Sequence, residues 1–203
     1  MVPWCEVDPD LALLDRWRTG DGQAGQDLFA RHFADIYRFF EHKVARDADE
    51  LAQRTFTACV AARDKFRGQS SFRSYLFAIA RKQLYSYLRA LPKGEHVDFE
   101  QTSIAELVTS PSSKLGRMRQ VEQLRAALAK LPAEQQLLLE LHYWHDLDAE
   151  ALGEVFEATP GTIRVRLLRA RKALRAHMAN VELDAGSGDH LIAALSQPGS
   201  QEE

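Results

Sequence analysis

Two stretches of this chain gather the side chains that could do chemistry, and in both the chemistry is recognition of nucleic acid. Across residues 63–89, Arg63, Lys65, Arg67, Arg73, Arg81, Lys82 and Arg89 meet a single acid, Asp64. Phe66, Phe72, Tyr75, Phe77, Tyr85 and Tyr87 run between them. Cations hold a phosphate backbone while exposed rings stack on unpaired bases, so this mixture suits single-stranded nucleic acid. Helical spacing sends most of the rings to a core, which leaves Tyr75 and Tyr85 as the candidate stackers. Across residues 160–178, Arg164, Arg166, Arg169, Arg171, Lys172 and Arg175 occur with no acid. Thr159-Pro160-Gly161-Thr162 stands ahead of them. Small residues there let the start of a helix approach base edges in a major groove, and its unpaired N–H groups can meet a phosphate. A helical hairpin with an ordinary solvated basic face would have the same composition.

Other chemistries find no residues to carry them. There is no phosphate-binding glycine loop and no placeable nucleophile–base pair, so no enzyme is expected. Cys5 and Cys59 are far apart, and the seven histidines have no metal-ligand spacing, so neither a metal nor another cofactor is expected. Cys59 falls on an apolar helical face and reads as a small buried hydrophobe.

The chain has 203 residues, is 45% hydrophobic and carries a net charge of -3. That suffices for one ordinary domain or two small ones. The overall acidity argues against free, non-specific DNA binding. Glu134, Glu140, Asp146, Asp148, Glu150, Glu154 and Glu157 form an acidic stretch between the two basic ones. No run approaches the roughly 20 apolar residues that span a bilayer. The opening MVPWCEVDPD lacks the order of a secretory signal, so a cytoplasmic protein without membrane insertion is expected.

The elements that must position these residues read as helices throughout. Asp8-Pro9 starts a short one that Gly20 ends. The next, about 23–44, has Phe29, Phe33, Ile36, Tyr37, Phe40 and Val44 at helical spacing. A third follows Asp47 with Leu51, Phe56, Cys59 and Val60 on its core face. Residues 67–71 form a loop, with a serine capping the next helix. That helix is expected to bury Phe72, Leu76, Ile79, Ala80, Leu84, Tyr87 and Leu88 and to show Arg81, Lys82, Tyr85 and Arg89. Residues 91–116 read as a flexible linker, with one helical turn near 104–108. A second helical unit follows and ends in a helix–turn–helix at about 149–168. Its first helix packs through Leu152, Val155 and Phe156, and Thr159 caps the second. The expected fold is all-α: two small helical domains joined by a flexible linker, the second with a helix–turn–helix. The divisions are a lead-in 1–23, a first domain 24–90, the linker 91–116, a second domain 117–178 and an acidic, disordered tail 179–203.

At this point the residues resemble a known family. Asp49 to Phe56, DELAQRTF, looks like the polymerase-docking motif of sigma factors. Phe66 to Arg81, FRGQSSFRSYLFAIAR, looks like the loop and helix those proteins use on the minus-ten element. Leu131-Pro132 through Leu174 resembles their fourth conserved region, including the run GTIRVRLLRAR. Together these cover most of residues 24–178, and the combination resembles the extracytoplasmic-function group of the sigma-70 family.

The resemblance implies docking on core RNA polymerase through Asp49, Glu50 and Gln53. It implies minus-ten contacts from Arg67, Gln69, Ser70, Ser71, Arg73, Tyr75, Arg81, Lys82, Tyr85 and Arg89, the loop taking a flipped-out base. It implies minus-thirty-five contacts from Thr159, Pro160, Gly161, Thr162, Arg164, Arg166 and Arg169. Its partners would be core RNA polymerase, promoter DNA and, where one exists, an anti-sigma factor. In the family the linker follows the RNA exit path, which Glu95, Asp98, Glu100 and Glu106 would suit. Several positions depart from the usual pattern. Arg54 stands where an acid is common, Lys82 and Ser86 replace Asn and Asp, and Val165 replaces a small polar residue. Glu157 stands where a turn glycine is usual, at a cost of about 1 kcal/mol if the backbone there is left-handed. A stand-alone helix–turn–helix regulator and a helical decoy protein are the competing readings. The docking motif opposes the first, and the small residues at 159–162 oppose the second.

Overall fold

The computed structural model describes residues 8–66, 68, 70–94, 96–108 and 120–178, with 120–123 described for the backbone alone. The expectations for the tail 179–203, Cys5, Arg67, Gln69 and Glu95 lie outside the described residues. Among the described residues every regular element is helical. None of those helices is long and apolar enough to cross a membrane. The chain forms two compact units that divide within one helix, near Ser86.

The first unit begins with α1, Pro9–Arg18, where the Asp8 carboxylate accepts the Asp10 N–H at 2.9 Å and Pro9 fills the first turn. Asp21 caps α2, Gly22–Val44, by accepting the Ala24 N–H at 3.1 Å. That bond and the neighbouring Arg16 hold the Asp21 carboxyl below its ordinary range. α1 packs on α2, and at Gly25 an added Cβ would come within 2.7 Å of the Trp17 indole. A second tie is His32 Nε2 to Asp10 Oδ2 at 2.6 Å.

α3, Ala48–Ala61, buries Ala48, Leu51, Ala52, Thr55, Phe56 and Cys59, one face of a 3.6-residue period. α4, Phe72–Ala90, buries Phe72, Leu76, Phe77, Ala80, Leu84 and Leu88. Phe39 meets Phe40 and Phe77 edge-on, at 5.0 and 5.8 Å between centroids. Each ring of this kind removed from water contributes about 1.5–3 kcal/mol.

Five residues depart from expectation here. Phe33 and Val60, expected in the core, are 45% and 48% exposed. The α2–α3 contact closes over Phe29 and Phe56, whose rings are 4.8 Å apart, and leaves those two side chains beyond its edge. Tyr85, expected on the outer face of α4, is buried. The buried arc of α4 is wider than a single stripe, and it takes in Phe77 and Tyr85 while leaving Ile79 and Tyr87 only half-buried.

In the second unit, α6 (Gln120–Leu128) and α7 (Ala133–Tyr143) pack against α9 (Pro160–Met178), with α8 (Ala149–Phe156) leading into α9. Leu124, Leu128, Leu131, Leu137, Leu141, Ile163, Leu167 and Leu174 are all buried. The helical turn expected near 104–108 is present as α5, Ile104–Leu107, with Ser103 capping it at Glu106 N–H.

The flexible linker is corrected over residues 98–107. Phe99, Ile104 and Leu107 are buried, and the segment hydrogen-bonds to the start of α7. The Ala133 N–H donates to the Thr102 carbonyl at 2.9 Å and the Glu134 N–H to the Phe99 carbonyl at 3.0 Å. Pro132, at the cap position of α7, supplies no side-chain cap, so these carbonyls serve in its place.

Candidate functional site

The residues at the start of α3 are set by its periodicity. Burying Ala48, Leu51, Ala52 and Thr55 forces Asp49, Glu50 and Gln53 into water, and all three are exposed. Arg54 reaches back one turn to the Glu50 carboxylate, with more than half of each side chain in solvent. Such a pair is worth only about 0.2–0.5 kcal/mol. Tyr37 of α2 belongs to the same face. The nearby Asp49 carboxylate, then burial, then Glu41 push its hydroxyl pKa above the ordinary value. Phe33 stacks between Tyr37 and Phe56, at 6.2 and 6.0 Å. The expected docking residues therefore share the face of α2 and α3 that carries the exposed Phe33 and Val60. Sequence reasoning missed both. Their signal was an apolar arc on each helix broader than one packing partner covers.

The approach to the 67–71 loop is held from two sides. The Arg18 guanidinium donates to the Phe66 carbonyl and, at 3.1 Å, to the Arg63 carbonyl. Arg63 in turn lies 5.1 Å over the Trp17 ring. On the far side Ser71 caps α4: its Oγ accepts the Ser74 N–H at 3.0 Å and pairs with the Ser74 hydroxyl at 2.8 Å. Gly68 takes a left-handed backbone, φ 68°. Ser70 is half-buried.

Along α4 the expected nucleic-acid residues divide. Lys82 and Arg89 are exposed, and Arg89 lies 5.0 Å over the Phe99 ring. Arg73 pairs with Asp35 of α2 at 3.0 Å. Arg81 is half-buried, 4.8 Å over the Tyr85 ring. Neither tyrosine is presented as expected. Tyr85 is buried, and Tyr75 packs its ring 4.8 Å from Phe66 while its hydroxyl donates to the Ala62 carbonyl at 3.2 Å. Burial, helped by Cys59, raises the Tyr75 pKa.

The helix–turn–helix is built by its caps. Asp148 accepts the Glu150 and Ala151 N–H groups at 3.0 and 2.8 Å and starts α8. Glu157 ends it in the left-handed region, φ 54° and ψ 45°. At Gly153 an added Cβ would come within 2.7 Å of the Ala158 carbonyl oxygen, so the turn closes only over a glycine. Sequence reasoning missed this residue; its signal was a glycine in the interior of a short amphipathic helix.

Thr159 then caps α9, accepting the Thr162 N–H at 3.2 Å and pairing with the Thr162 hydroxyl at 2.9 Å. Thr159, Gly161, Thr162, Arg164 and Arg169 are exposed and Pro160 is half-buried. Arg166 departs from its expected outward course. It bonds the Glu134 carboxylate at 2.6 Å, tying α9 to α7.

Comparison with known proteins bears on the family and the fold. Residues 28–92 match the model of sigma-70 region 2, and residues 121–174 match that of sigma-70 region 4. The two together cover more than half of the chain. The ECF RNA polymerase sigma-E factor of Salmonella typhimurium is 26% identical over 185 residues, covering 81% of this chain and 92% of its own. The RNA polymerase sigma factor YlaC of Bacillus subtilis is 28% identical over 157 residues, covering 75% of this chain and 91% of its own.

Among solved structures, that of CnrH in complex with the cytosolic domain of CnrY aligns with a TM-score of 0.61 at 22% identity. It covers 86% of this chain and all of that one. The sigma factor RpoE of Bartonella quintana, in complex with the anti-sigma factor NepR, aligns with a TM-score of 0.58 at 20% identity, over 78% of this chain and 98% of that one. At these identities the structures speak for the fold, while the matched regions and the curated relatives speak for the family. The chain belongs to the sigma-70 family of RNA polymerase sigma factors, in its extracytoplasmic-function group.

Proposed function

We propose that this sigma factor joins core RNA polymerase through the α2–α3 face, opens promoter DNA with the 67–71 loop and the outer side of α4, and reads the upstream element with α9. The observation that carries the docking assignment is the company of Asp49, Glu50 and Gln53. Phe33 stands nearly half in water beside them although its ring stacks on Tyr37 and Phe56, and the exposed polar groups rim that apolar spot. Large apolar side chains rimmed by polar ones mark a surface that another protein covers.

On α4 the exposed Lys82 and Arg89 supply backbone contacts, with the half-buried Arg81 beside them. Arg67 and Gln69 with Ser70 are the base-capturing group of the loop, while the Ser71 hydroxyl is committed to its helix. The chain carries no catalytic activity of its own; it supplies promoter recognition to an enzyme that does. It works wherever that polymerase works, inside the cell. A protein inhibitor that covers Phe33 and Val60 would compete directly with the polymerase, the mode we assign to an anti-sigma partner here.

The experiment is co-purification with core RNA polymerase. Glu50→Lys combined with Gln53→Ala should abolish retention on core while far-ultraviolet circular dichroism is unchanged. Retention at wild-type strength would remove the docking assignment. For the loop, Gln69→Ala with Ser70→Ala should impair open-complex formation on a duplex promoter, and a premelted template should restore part of it. Equal loss on both templates would make the loop structural.

A further inference from the structure

We propose that Val165 and Leu168 form a base-reading ridge on α9 that takes the C5-methyl groups of thymines in the major groove; this rests on the reading of α9 as the helix that faces the upstream DNA. Ile163, Leu167, Ala170, Leu174 and Met178 are the buried stripe of α9. At about 100° per residue, the side diametrically opposite carries Gly161, Val165, Leu168 and Lys172. Val165 is 48% exposed and Leu168 is 66% exposed. Single apolar side chains in water are ordinary. Two of them one turn apart, at the crest of a helix whose segment 160–178 contains six basic residues and no acid, are not.

The cations are arranged around this ridge. Arg164 lies to one side and Arg169 to the other; both are exposed, and among the described residues neither makes an ion pair. Further round, the two shoulders of the helix are tied into their own unit. Arg166 bonds Glu134 at 2.6 Å, and Arg171 sits 5.6 Å over the Tyr143 ring and 3.4 Å from His142 Nε2. The exposed surface is thus a crest that is apolar at Val165 and Leu168, with Lys172 at its far end, between two positive flanks. A helix seated in a major groove meets phosphate walls with its flanks and base edges with its crest.

Valine and leucine have no donor or acceptor to offer a base edge. The feature of the major-groove floor they complement is the thymine methyl. From Val165 to Leu168 the helix rises about 4.5 Å, against about 3.4 Å per base step, so the pair addresses neighbouring positions. Gly161 lies at the leading end of the crest. A Cβ there would meet nothing closer than 3.9 Å, so the fold does not require glycine, and its absence of a side chain leaves the crest low where the DNA closes in. A protein partner would have to bring acids to both flanks of the crest, whereas a major groove supplies phosphates on both of its walls.

The test uses holoenzyme formed from the full chain and core polymerase. Duplexes randomised over the upstream element and fixed elsewhere are selected by binding, and the enriched sequence is then remade with deoxyuridine in place of single thymidines. Selection should enrich thymine at two neighbouring positions. Removing each of those methyls should weaken wild-type binding about fourfold, the worth of one buried methylene-sized group. Val165→Ser and Leu168→Ser should each lose the response to deoxyuridine at one position while the salt dependence of binding is kept.

Equal affinity of wild-type holoenzyme for the thymidine and deoxyuridine duplexes overturns the proposal. So does retained discrimination in both variants, or loss of core binding in them, which would make the crest a protein contact. Arg164→Ala with Arg169→Ala separates this from failure of the underlying reading. If that variant weakens upstream binding while deoxyuridine has no effect, only the methyl-reading ridge is wrong. If it too leaves upstream binding unchanged, α9 does not face the DNA.

Discussion

Cys59 lies fully buried on α3, and burial pushes its thiol from near 9.0 up to about 12. The thiolate is the reactive form, so a neutral, packed thiol is inert. In a chain carrying Cys5→Ser, alkylation at pH 8 should be slow in native buffer and fast in denaturant; rapid native labelling would mean the thiol is reached without unfolding. The same shift has a signed consequence for stability. The folded state holds this proton more tightly than the unfolded one. The contribution is therefore fully present below pH 9 and is lost as the pH rises from there toward 12. Cys59→Ala should remove that part of the alkaline loss, read as the urea midpoint against pH. Glu157 is the other residue with a stated cost. Its left-handed backbone, φ 54°, suits glycine, and Glu157→Gly should raise stability by about 1 kcal/mol, with a thermal midpoint a few degrees higher. An unchanged or lower midpoint would mean that the glutamate side chain returns more than its backbone costs.

α1 lies ahead of the matched segment 28–92, yet its last turn reaches the carbonyls of Arg63 and Phe66 at the mouth of the 67–71 loop. Arg18→Ala should slow opening of a duplex promoter and spare a premelted one, with Arg18→Lys restoring part of the rate because an ammonium can still meet one carbonyl. Equal slowing on both templates would show a general loss of the unit. The helices themselves were legible because their ends are local. Asp8, Asp21, Asp148 and Thr159 cap within three residues of themselves, and sequence spacing carries that information.

What was not legible depends on partners distant in the chain. Arg166 looked like an outward cation because nothing near it in sequence announces Glu134, 32 positions away. Phe33 and Val60 looked like core because periodicity records which residues share a face, not where the neighbouring helix stops. Tyr85 looked exposed because a single stripe was assumed for a helix that is buried over a wider arc. Residues 98–107 looked like linker because their apolar residues, Phe99, Ile104 and Leu107, keep no regular period. A clue lay elsewhere. Leu137, Leu138, Leu139 and Leu141 make α7 apolar around much of its circumference, and such a helix is covered on more than one side.

A net charge of -3 leaves little general attraction for DNA, so affinity has to come from delivery by the polymerase and from a few local cations. Arg169→Ala in holoenzyme should flatten the slope of log affinity against log salt by about 1. Arg166→Ala should leave the slope nearly unchanged and lower the stability of the second unit, because its charge is already spent on Glu134. The opposite assignment of the two effects would place Arg166 on the DNA. The segment just before α7 bears on something broader, the exchange of parts between relatives. Promoter preference in such a two-part factor could be transferred by grafting the second half of one chain onto the first half of another. A graft cut at residue 117 would leave behind Phe99, Ile104 and Leu107, and with them the two carbonyls that finish the first turn of α7. A cut near 96 carries them along. The heritable module that we propose reads upstream DNA thus begins some twenty residues before its first long helix, and recombination that respects helix boundaries alone would divide it.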